Sequence, residues 1–107
     1  MNFDEYQEAT RRTDNSRLPF NQHAAMLIMG ISGEAGEIVD LWKKHLFHGH
    51  EKPDLEKIME ETSDLLWYIS RLLDLCEIKM DDAAKFNINK LLQRYPSGFD
   101  SERSKNR

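Results

Sequence analysis

Two pairs of acidic residues interrupt the two most apolar stretches of this chain of 107 residues. Glu34 and Glu37 are the only charged residues in the segment 24–39, and Glu61 and Asp64 open the next apolar segment. Residues three apart lie about 60° apart around an α-helix, so each pair projects from one face. Carboxylates in apolar surroundings are disfavoured without a cation, and clustered oxygen ligands suit Mg²⁺ or Mn²⁺ better than zinc. The pattern predicts two helices that share a divalent cation.

Turn residues divide the chain into four candidate helices, and no segment alternates apolar and polar residues with the period of a strand. The predicted bounds are about 3–13, 21–47, 55–76 with Asp54 as the N-cap, and 81–94 with Asp81 as the N-cap. These elements predict an all-α fold, a four-helix bundle, in one domain that covers residues 1–100. The segment 101–107 is a polar, basic C-terminal tail, which we expect to fray unless something holds it.

The second and third predicted helices are apolar around most of their circumference. Residues 24–31 and 65–69 leave little polar surface, and a helix of this kind is buried on more than one side. Four helices cannot supply all of that cover, so we expect a second subunit to complete the bundle. The expected assembly is a homodimer, and a homotetramer made of two dimers is left open.

Charge and composition exclude several classes of partner. The net charge of −4 and the pI of about 5.5 argue against a nucleic-acid polymer, but not against a small anion that carries its own metal. No apolar run is long enough to cross a bilayer, and the N-terminus lacks the apolar region of a signal peptide. Cys76 is the only cysteine, so no internal disulfide can form. We therefore expect a cytoplasmic protein without a membrane partner.

Each acidic pair also has a simpler interpretation, because a Glu-x-x-Glu pair on a helix is usually a solvated face. Small residues flank the first pair at Gly33, Ala35 and Gly36, and glycine costs about 1 kcal/mol relative to alanine inside a helix. That cost is reasonable where a ligand or another helix approaches closely, so we favour a shared cation site. A di-iron centre would need Glu-x-x-His pairs, which are absent here. The role of Glu60 stays open.

The other polar candidates are weaker. His45, His48 and His50 straddle a glycine turn without a nearby cysteine, so a zinc site there is a minor alternative. We expect His23 to lie at the surface or at a helix start. Cys76 sits at an apolar helix end and is expected to be a small buried side chain.

Five segments carry a resemblance to a known family. They are EYQEAT at 5–10, GEAGE at 33–37, ETSDLLWY at 61–68, NINKLLQRYPSGF at 87–99 and SKNR at 104–107. In this order they resemble the MazG-like group of all-α nucleoside triphosphate pyrophosphohydrolases, over nearly the whole chain. The family pattern is an ExxE element followed, after a variable gap, by an ExxD element, and both elements are present.

The resemblance implies an enzyme, a hydrolase that acts on acid anhydrides. It implies Mg²⁺-dependent cleavage between the α- and β-phosphates of a (d)NTP, and Mn²⁺ is the substitute that oxygen ligands also suit. The products would be the (d)NMP and pyrophosphate, in a role of nucleotide-pool housekeeping. The catalytic metal ligands that it implies are Glu34, Glu37, Glu61 and Asp64. The residues that it implies against the substrate triphosphate are Asn87, Lys90, Arg94 and Tyr95.

Phosphate chemistry is also reasonable on physical grounds. Four acids alone would repel a triphosphate, and Mg²⁺ would neutralise both sides and activate water. Lys90 and Arg94 lie four apart on one helical face and can bind phosphate oxygens, although cations near a helix C-terminus also favour its dipole. Lys43 and Lys44 could reach phosphates or form an exposed helix end. The alternative function is a non-catalytic helical module that dimerises or binds Mg-nucleotide.

Overall fold

Helices make up the regular secondary structure of the computed structural model, which describes residues 1–15 and 17–107. The elements are α1 (Phe3–Thr10), a 3-10 helix (Arg11–Thr13), α2 (Phe20–Phe47), α3 (Leu55–Leu75), α4 (Met80–Arg94) and α5 (Ser101–Lys105). The all-α prediction is therefore confirmed for the described residues. The predicted first helix runs to residue 13, but its last turn tightens into the 3-10 helix. None of the described helices has the length and apolar composition needed to cross a bilayer.

Side chains fix where α1 and α3 begin. Asn2 accepts a hydrogen bond from the backbone N–H of Glu5 at 2.8 Å, and the Glu5 carboxylate accepts one from the backbone N–H of Asn2 at 3.3 Å. Asp54 accepts a hydrogen bond from the backbone N–H of Lys57 at 2.8 Å, which confirms that Asp54 caps α3. Each cap satisfies backbone N–H groups that have no partner inside the helix.

The start of α4 differs from the prediction that Asp81 is its cap. The N-cap is Lys79, which makes no capping bond with its side chain, and α4 begins at Met80. Side chains of α1 take over this task. Gln7 Oε1 accepts a hydrogen bond from the N–H of Met80 at 3.1 Å, and Asp4 Oδ1 accepts one from the N–H of Asp81 at 3.0 Å. The prediction is wrong because these partners are distant in sequence.

The turn between α3 and α4 places one residue in the left-handed region. Glu77 has a φ of 59° and follows Cys76, the C-cap of α3. The N–H of Ile78 donates to the Leu73 carbonyl at 2.9 Å, and the N–H of Glu77 donates to the Asp74 carbonyl at 3.0 Å. This is the Schellman arrangement, in which glycine is the usual residue at the left-handed position. The reversal allows α4 to pack against α1 and α3.

The helices α2 and α3 form an antiparallel hairpin that carries both acidic pairs. Gly30 on α2 contacts Tyr68 on α3, and one turn further along α2 Glu34 lies close to Asp64. The residue numbers rise on one helix as they fall on the other, so the helices run in opposite directions. The ring of Tyr68 fills the space that a Cβ atom at Gly30 would occupy. Gly30 therefore permits the close approach of the two helices.

The small residues beside the first acidic pair do not meet another helix of this chain. A Cβ atom built at Gly33 or at Gly36 would have no neighbour within 4 Å among the described residues outside its own helical turn. The close helix approach is made at Gly30 instead. Gly33 and Gly36 therefore leave an open strip of α2 backbone next to Glu34.

A buried polar network docks α1 and the 3-10 helix onto α3. Arg71 is 6% exposed. Its guanidinium donates to the carboxylates of Asp14 and Asp74, both at 2.8 Å, and to the hydroxyl of Thr10 at 3.1 Å. Arg11 adds a bidentate pair with Asp74 at 2.9 and 3.0 Å. A buried charge needs partners of this kind, so polar contacts hold α1 in place.

His23 belongs to the same network. It lies in the first turn of α2, which confirms the predicted helix start, whereas the alternative position at the surface is wrong. It is 6% exposed, and its Nε2 lies 2.8 Å from Oδ1 of Asp14. Burial is the largest single effect on Asp14 and raises its pKa. Hydrogen bonds to Arg71 and His23 outweigh that effect, so the pKa of Asp14 lies below its usual value. The hydrogen bond from Arg11, assisted by that from Arg71, likewise lowers the pKa of Asp74.

The chain leaves most of its large apolar side chains in contact with solvent. Leu27 and Met80 are the only buried apolar side chains among the described residues, whereas Met29 on α2 and Phe86 on α4 are both 72% exposed. The radius of gyration is 17.0 Å, compared with about 13 Å for a compact domain of about 100 residues. One chain therefore does not cover its own apolar surface.

The thiol of Cys76 is also exposed, so the prediction of a buried thiol is wrong. The reason is that the chain reverses immediately after Cys76, at the end of α3.

The C-terminal tail is folded onto the end of α4. Asp100 caps α5 by accepting a hydrogen bond from the backbone N–H of Glu102 at 2.9 Å. The guanidinium of Arg103 donates from Nε to the backbone carbonyl of Arg94 at 2.6 Å. This bond supplies the contact without which we expected the tail to fray.

Candidate metal centre

Three of the four predicted metal ligands meet between α2 and α3. Glu34, Glu61 and Asp64 each offer a carboxylate oxygen, and the three oxygens lie within 4.8 Å of one another. Glu61 and Asp64 are three residues apart on α3, so both project from the face that lies towards Glu34 on α2. Glu34 and Glu61 are partly buried, whereas Asp64 is exposed. The cluster is therefore accessible from one side.

Repulsion among these acids is visible in the pKa of Glu34. Partial burial raises the pKa of this carboxyl above its usual value, and the negative charges of Asp64, Glu61 and Glu37 raise it further, in that order. Within residues 1–15 and 17–107, no basic residue contributes to this shift. The fold thus places several negative charges near Glu34 without a positive charge to offset them.

The donor set of the cluster fits a hard divalent cation. All three donors are carboxylate oxygens from Glu34, Glu61 and Asp64, and the group contains neither a cysteine nor a histidine. Oxygen ligands of this kind suit Mg²⁺ or Mn²⁺, while thiolate and imidazole ligands would suit zinc. A cation among the three carboxylates would also offset the repulsion that raises the pKa of Glu34.

Glu37, the fourth predicted ligand, lies outside the group of three oxygens. Its side chain is exposed, and it follows Glu34 by about one turn of α2. Its charge still raises the pKa of Glu34, and it also raises the pKa of Lys44 further along the helix. The charge of Glu37 therefore acts on the acidic cluster and on the basic end of α2.

The two lysines near the end of α2 are paired with an acid of their own helix. Asp40 lies 2.7 Å from Nζ of Lys44 and 3.5 Å from Nζ of Lys43. The hydrogen bond from Lys44 is the main cause that lowers the pKa of Asp40. Exposed pairs of this type add little to stability, because water and salt screen the two charges. The pairing favours the interpretation of Lys43 and Lys44 as an exposed helix end.

Tyr6 of α1 lies near the cluster, and the sequence pattern alone does not predict a role for it. Burial raises the pKa of its phenol, and the charge of Asp64 raises it further. Tyr6 also lines a concavity of about 460 Å³ together with Phe3, Leu66 and Asp81. The available signal was its place in the EYQEAT segment. The position of Tyr6 in the sequence of α1 does not predict that its ring lies near Asp64 of α3.

The residues predicted to face the triphosphate occupy the C-terminal half of α4 and the turn after it. They are Asn87, Lys90, Arg94 and Tyr95. Asn87 is exposed, and the other three are partly buried. The ring of Tyr95 packs against Phe99, with 5.5 Å between ring centroids. Among the described residues, no cation of α4 contributes to the pKa shift of Glu34.

The histidines around the α2–α3 turn do not group into a metal site in the described chain. Nδ1 of His45 lies 3.0 Å from the backbone carbonyl oxygen of His50, and His48 and His50 are exposed. Among residues 1–15 and 17–107, the group of acids, histidines and cysteines able to hold a metal is the one at Glu34. The minor zinc alternative therefore receives no support.

Comparison with protein families supports the resemblance drawn from the motifs. The family model described as "MazG nucleotide pyrophosphohydrolase domain" matches residues 22–99. This span contains α2 from residue 22 onward, all of α3 and α4, the acidic cluster and the residues predicted to face the triphosphate. The match covers well over half of the chain.

A curated relative comes from a bacteriophage. The chain is 30% identical over 73 residues to the Gene 37 protein of Mycobacterium phage L5. The alignment covers 65% of this chain and 64% of the phage protein, so the chain spans less than two thirds of the length of that relative. No solved structure matches the chain significantly.

Proposed function

Because this chain belongs to the family of MazG nucleotide pyrophosphohydrolase domains, we propose that it hydrolyses nucleoside triphosphates. The bond cleaved is the anhydride between the α- and β-phosphates of a (d)NTP, and the products are the (d)NMP and pyrophosphate. The proposed role is housekeeping of the nucleotide pool. The observation that carries the proposal is the convergence of Glu34, Glu61 and Asp64 between α2 and α3.

Mg²⁺ is the proposed cofactor, with Mn²⁺ as a substitute. Enzymes of this family generally depend on a divalent metal, and the oxygen-only donor set supports the same dependence here. When bound, the ion supplies positive charge that polarises phosphate oxygens and makes water more acidic. Glu34, Glu61 and Asp64 are the proposed ligands. Glu37 is the fourth, because it lies one turn from Glu34 and its side chain is exposed.

The proposed substrate contacts come from α4 and the turn that follows it. Arg94 can bind two phosphate oxygens at once through its planar guanidinium, whereas Lys90 offers a point charge. Asn87 and Tyr95 supply further hydrogen-bond donors. In this proposal the bound triphosphate links the cations of α4 to the metal that the acids hold.

A homodimer is the proposed assembly, and a homotetramer of two dimers is its alternative. Met29 and Phe86 present apolar side chains to solvent from two different helices, and the chain is more extended than a compact domain of its length. Apolar surface of this extent is commonly buried in an interface. In a two-fold symmetric dimer, each subunit contributes the same surface to the interface.

The proposed catalytic domain covers residues 1–100, with 101–107 as a basic extension. The family match begins at residue 22, but α1 is part of the domain because the network around Arg71 joins it to α3. A cytoplasmic location is proposed because Cys76, the single cysteine, is an exposed thiol.

Product analysis tests the proposed function directly. The purified protein is incubated with each common (d)NTP in EDTA and then with added Mg²⁺ or Mn²⁺, and the products are separated. We expect the monophosphate and pyrophosphate in equal amounts, only when metal is present. Release of the diphosphate, or full activity in EDTA, would contradict the proposal. Nucleotide binding without hydrolysis would indicate the non-catalytic module instead.

Two neighbouring glutamates provide a matched pair of variants for the same assay. Glu61→Gln removes a carboxylate of the cluster and should abolish activity. Glu60→Gln changes an exposed glutamate that lies about 100° away around α3 and outside the cluster, and it should retain activity. Equal loss in both variants would mean that the effect does not come from the cluster.

A further inference from the structure

Three arginines line one concavity at the C-terminal end of α4. Arg94 is the last residue of α4, Arg103 belongs to α5, and Arg107 follows α5. Together with Asn106 they line a volume of about 440 Å³, and the described lining residues include no acid. A guanidinium stays protonated in proteins, so the concavity collects three positive charges.

The folded tail brings these arginines together. Arg103 donates from Nε to the carbonyl of Arg94 at 2.6 Å and from Nη2 to the carbonyl of Gln93 at 3.5 Å. These carbonyls lie at the end of α4, where they lack partners inside the helix. The two bonds use two of the five N–H donors of the guanidinium, and its Nη1 group is available to a ligand. Arg103 therefore holds the tail in place and still contributes charge to the concavity.

The charges of this concavity lack a counter-charge of their own. Among residues 1–15 and 17–107, none of its three arginines forms an ion pair with a carboxylate. The other arginine cluster of the molecule contrasts with it, since Arg11 and Arg71 share the carboxylate of Asp74. Like charges at short range repel one another, so an anion would stabilise the concavity.

We propose that this three-arginine concavity binds the polyphosphate chain of the substrate and the pyrophosphate that leaves it. The inference rests on the proposed function and deepens it, because it adds Arg103 and Arg107 of the tail to Arg94 of α4. Planar guanidinium groups bind pairs of phosphate oxygens, and three of them offer more donors than a single carboxylate can accept. The net charge of −4 disfavours a long nucleic-acid strand as the ligand.

Titration with inorganic pyrophosphate in EDTA tests the concavity without metal and without turnover. Arg107→Ala removes one charge and leaves the bonds of Arg103 that hold the tail. Loss of one charge-assisted contact should weaken pyrophosphate binding by about tenfold or more. The matched control is Lys105→Ala, because Lys105 lies on α5, is paired with Glu102 at 3.7 Å and does not line the concavity. The control should change the affinity by less than about twofold.

Kinetics provide a second readout. Arg107→Ala should raise the KM for the nucleoside triphosphate by a factor similar to its loss of pyrophosphate affinity, with an unchanged sedimentation coefficient. Equal pyrophosphate affinity in the wild type and Arg107→Ala would overturn the inference. Equal affinity for orthophosphate and pyrophosphate would overturn the polyphosphate assignment. Dissociation of the Arg107→Ala variant into monomers would assign the arginines to an interface instead.

The two proposals can fail separately. The titration involves no hydrolysis, so pyrophosphate binding that depends on Arg107 would support the concavity even if no triphosphate were cleaved. Conversely, metal-dependent release of pyrophosphate with an unchanged KM in Arg107→Ala would overturn the inference and leave the proposed function intact.

Discussion

The aromatic ring of Tyr68 lies against the backbone of Gly30, in the space where a side chain at position 30 would begin. This contact is one helical turn from Glu34 on α2 and one turn from Asp64 on α3. Among the five glycines of the chain, Gly30 is the one at which a built Cβ atom would meet a side chain of another helix. The distance between the acids of the two helices therefore depends on the absence of a side chain at Gly30.

Gly30→Ala should separate α2 from α3 and lower the free energy of unfolding. The added methyl group overlaps the ring of Tyr68, and overpacking of this type costs about 1–3 kcal/mol. Urea denaturation measures the change. Gly33→Ala is the control, because its methyl group would meet open space and should stabilise the helix by up to about 1 kcal/mol. Equal stability of the two variants would mean that Tyr68 moves aside without cost.

Glu34→Gln should raise the melting temperature of the metal-free protein. The pKa of Glu34 is raised by burial and by its acidic neighbours, so the ionised carboxylate destabilises the fold above its usual pKa. The gain should grow as the pH rises from acid to neutral, and added Mg²⁺ should stabilise the wild type more than the variant. Melting curves in EDTA and in Mg²⁺ measure both effects. Glu37→Gln, outside the cluster, should raise the melting temperature less.

Asp14→Asn should destabilise the chain strongly, because it leaves the buried guanidinium of Arg71 without one of its carboxylates. The side chains of Asp14 and Arg71 are only 2% and 8% exposed. Removal of one partner from a buried pair of this kind costs about 3–5 kcal/mol. Urea denaturation at neutral pH measures the loss. A change below about 0.5 kcal/mol, as for an ordinary surface substitution, would contradict this account.

Acid should weaken the same network in the wild type. The pKa values of Asp14 and Asp74 are lower in the folded chain than in ordinary carboxyls, so their stabilisation is fully present above the unfolded pKa. It is lost as the pH falls below about 4 towards the lower folded pKa values. Denaturation between neutral and acid pH measures this dependence. The free energy of unfolding should fall less steeply with acid in Asp14→Asn, because this variant lacks one of the two carboxylates.

Glu77→Gly should stabilise the turn between α3 and α4. Glu77 has a φ of 59°, and the left-handed region costs a residue with a side chain about 1–2 kcal/mol. Glycine avoids that cost but loses more backbone entropy on folding, so we expect a net gain of about 0.5–1 kcal/mol. Glu77→Ala retains the strain and serves as the control. If both variants had the same stability, the loss of the glutamate side chain would explain the result.

Met29→Asp should yield monomers if the exposed apolar surface of α2 forms the proposed dimer. Met29 is 72% exposed in the single chain, and a carboxylate there would be expelled from an apolar interface. Sedimentation velocity measures the assembly. Ala9→Asp adds the same charge at an exposed position of α1 and should leave the dimer intact. A wild-type protein that sediments as a monomer would contradict the proposal.

The positions of the helices could be predicted because their boundaries are encoded locally. Asp54 was recognised as a cap from its place before an apolar repeat, and it makes the expected bond to Lys57. Asp81 looked equivalent in sequence. The backbone N–H groups of Met80 and Asp81 instead donate to Gln7 and Asp4, which stand more than seventy positions earlier in the chain. Local patterns do not contain contacts at such separations.

The same distinction between local patterns and distant contacts applies to the candidate site. The three-residue spacing predicted that each acidic pair shares a face, and the antiparallel hairpin brings Glu34, Glu61 and Asp64 together. The exclusion of Glu37 from this group depends on how α2 is rotated against α3. The helix-start position of His23 could be predicted, but its burial could not, since its partner Asp14 is fixed by Arg71 on another helix.

The hydrogen bonds of Gln7 affect the order in which the helices can dock during translation. Its side-chain amide donates to the carbonyl of Ile78 and accepts from the N–H of Met80, across 71 and 73 positions. At about 5–20 residues per second, a ribosome needs roughly 4–15 seconds to translate that interval. The hairpin of α2 and α3 involves shorter sequence separations and is expected to form earlier. Since α1 packs against both α3 and α4, it is expected to dock after that hairpin has formed. Nascent chains arrested before Arg71, which lack the polar network on α3, should leave α1 open to proteolysis.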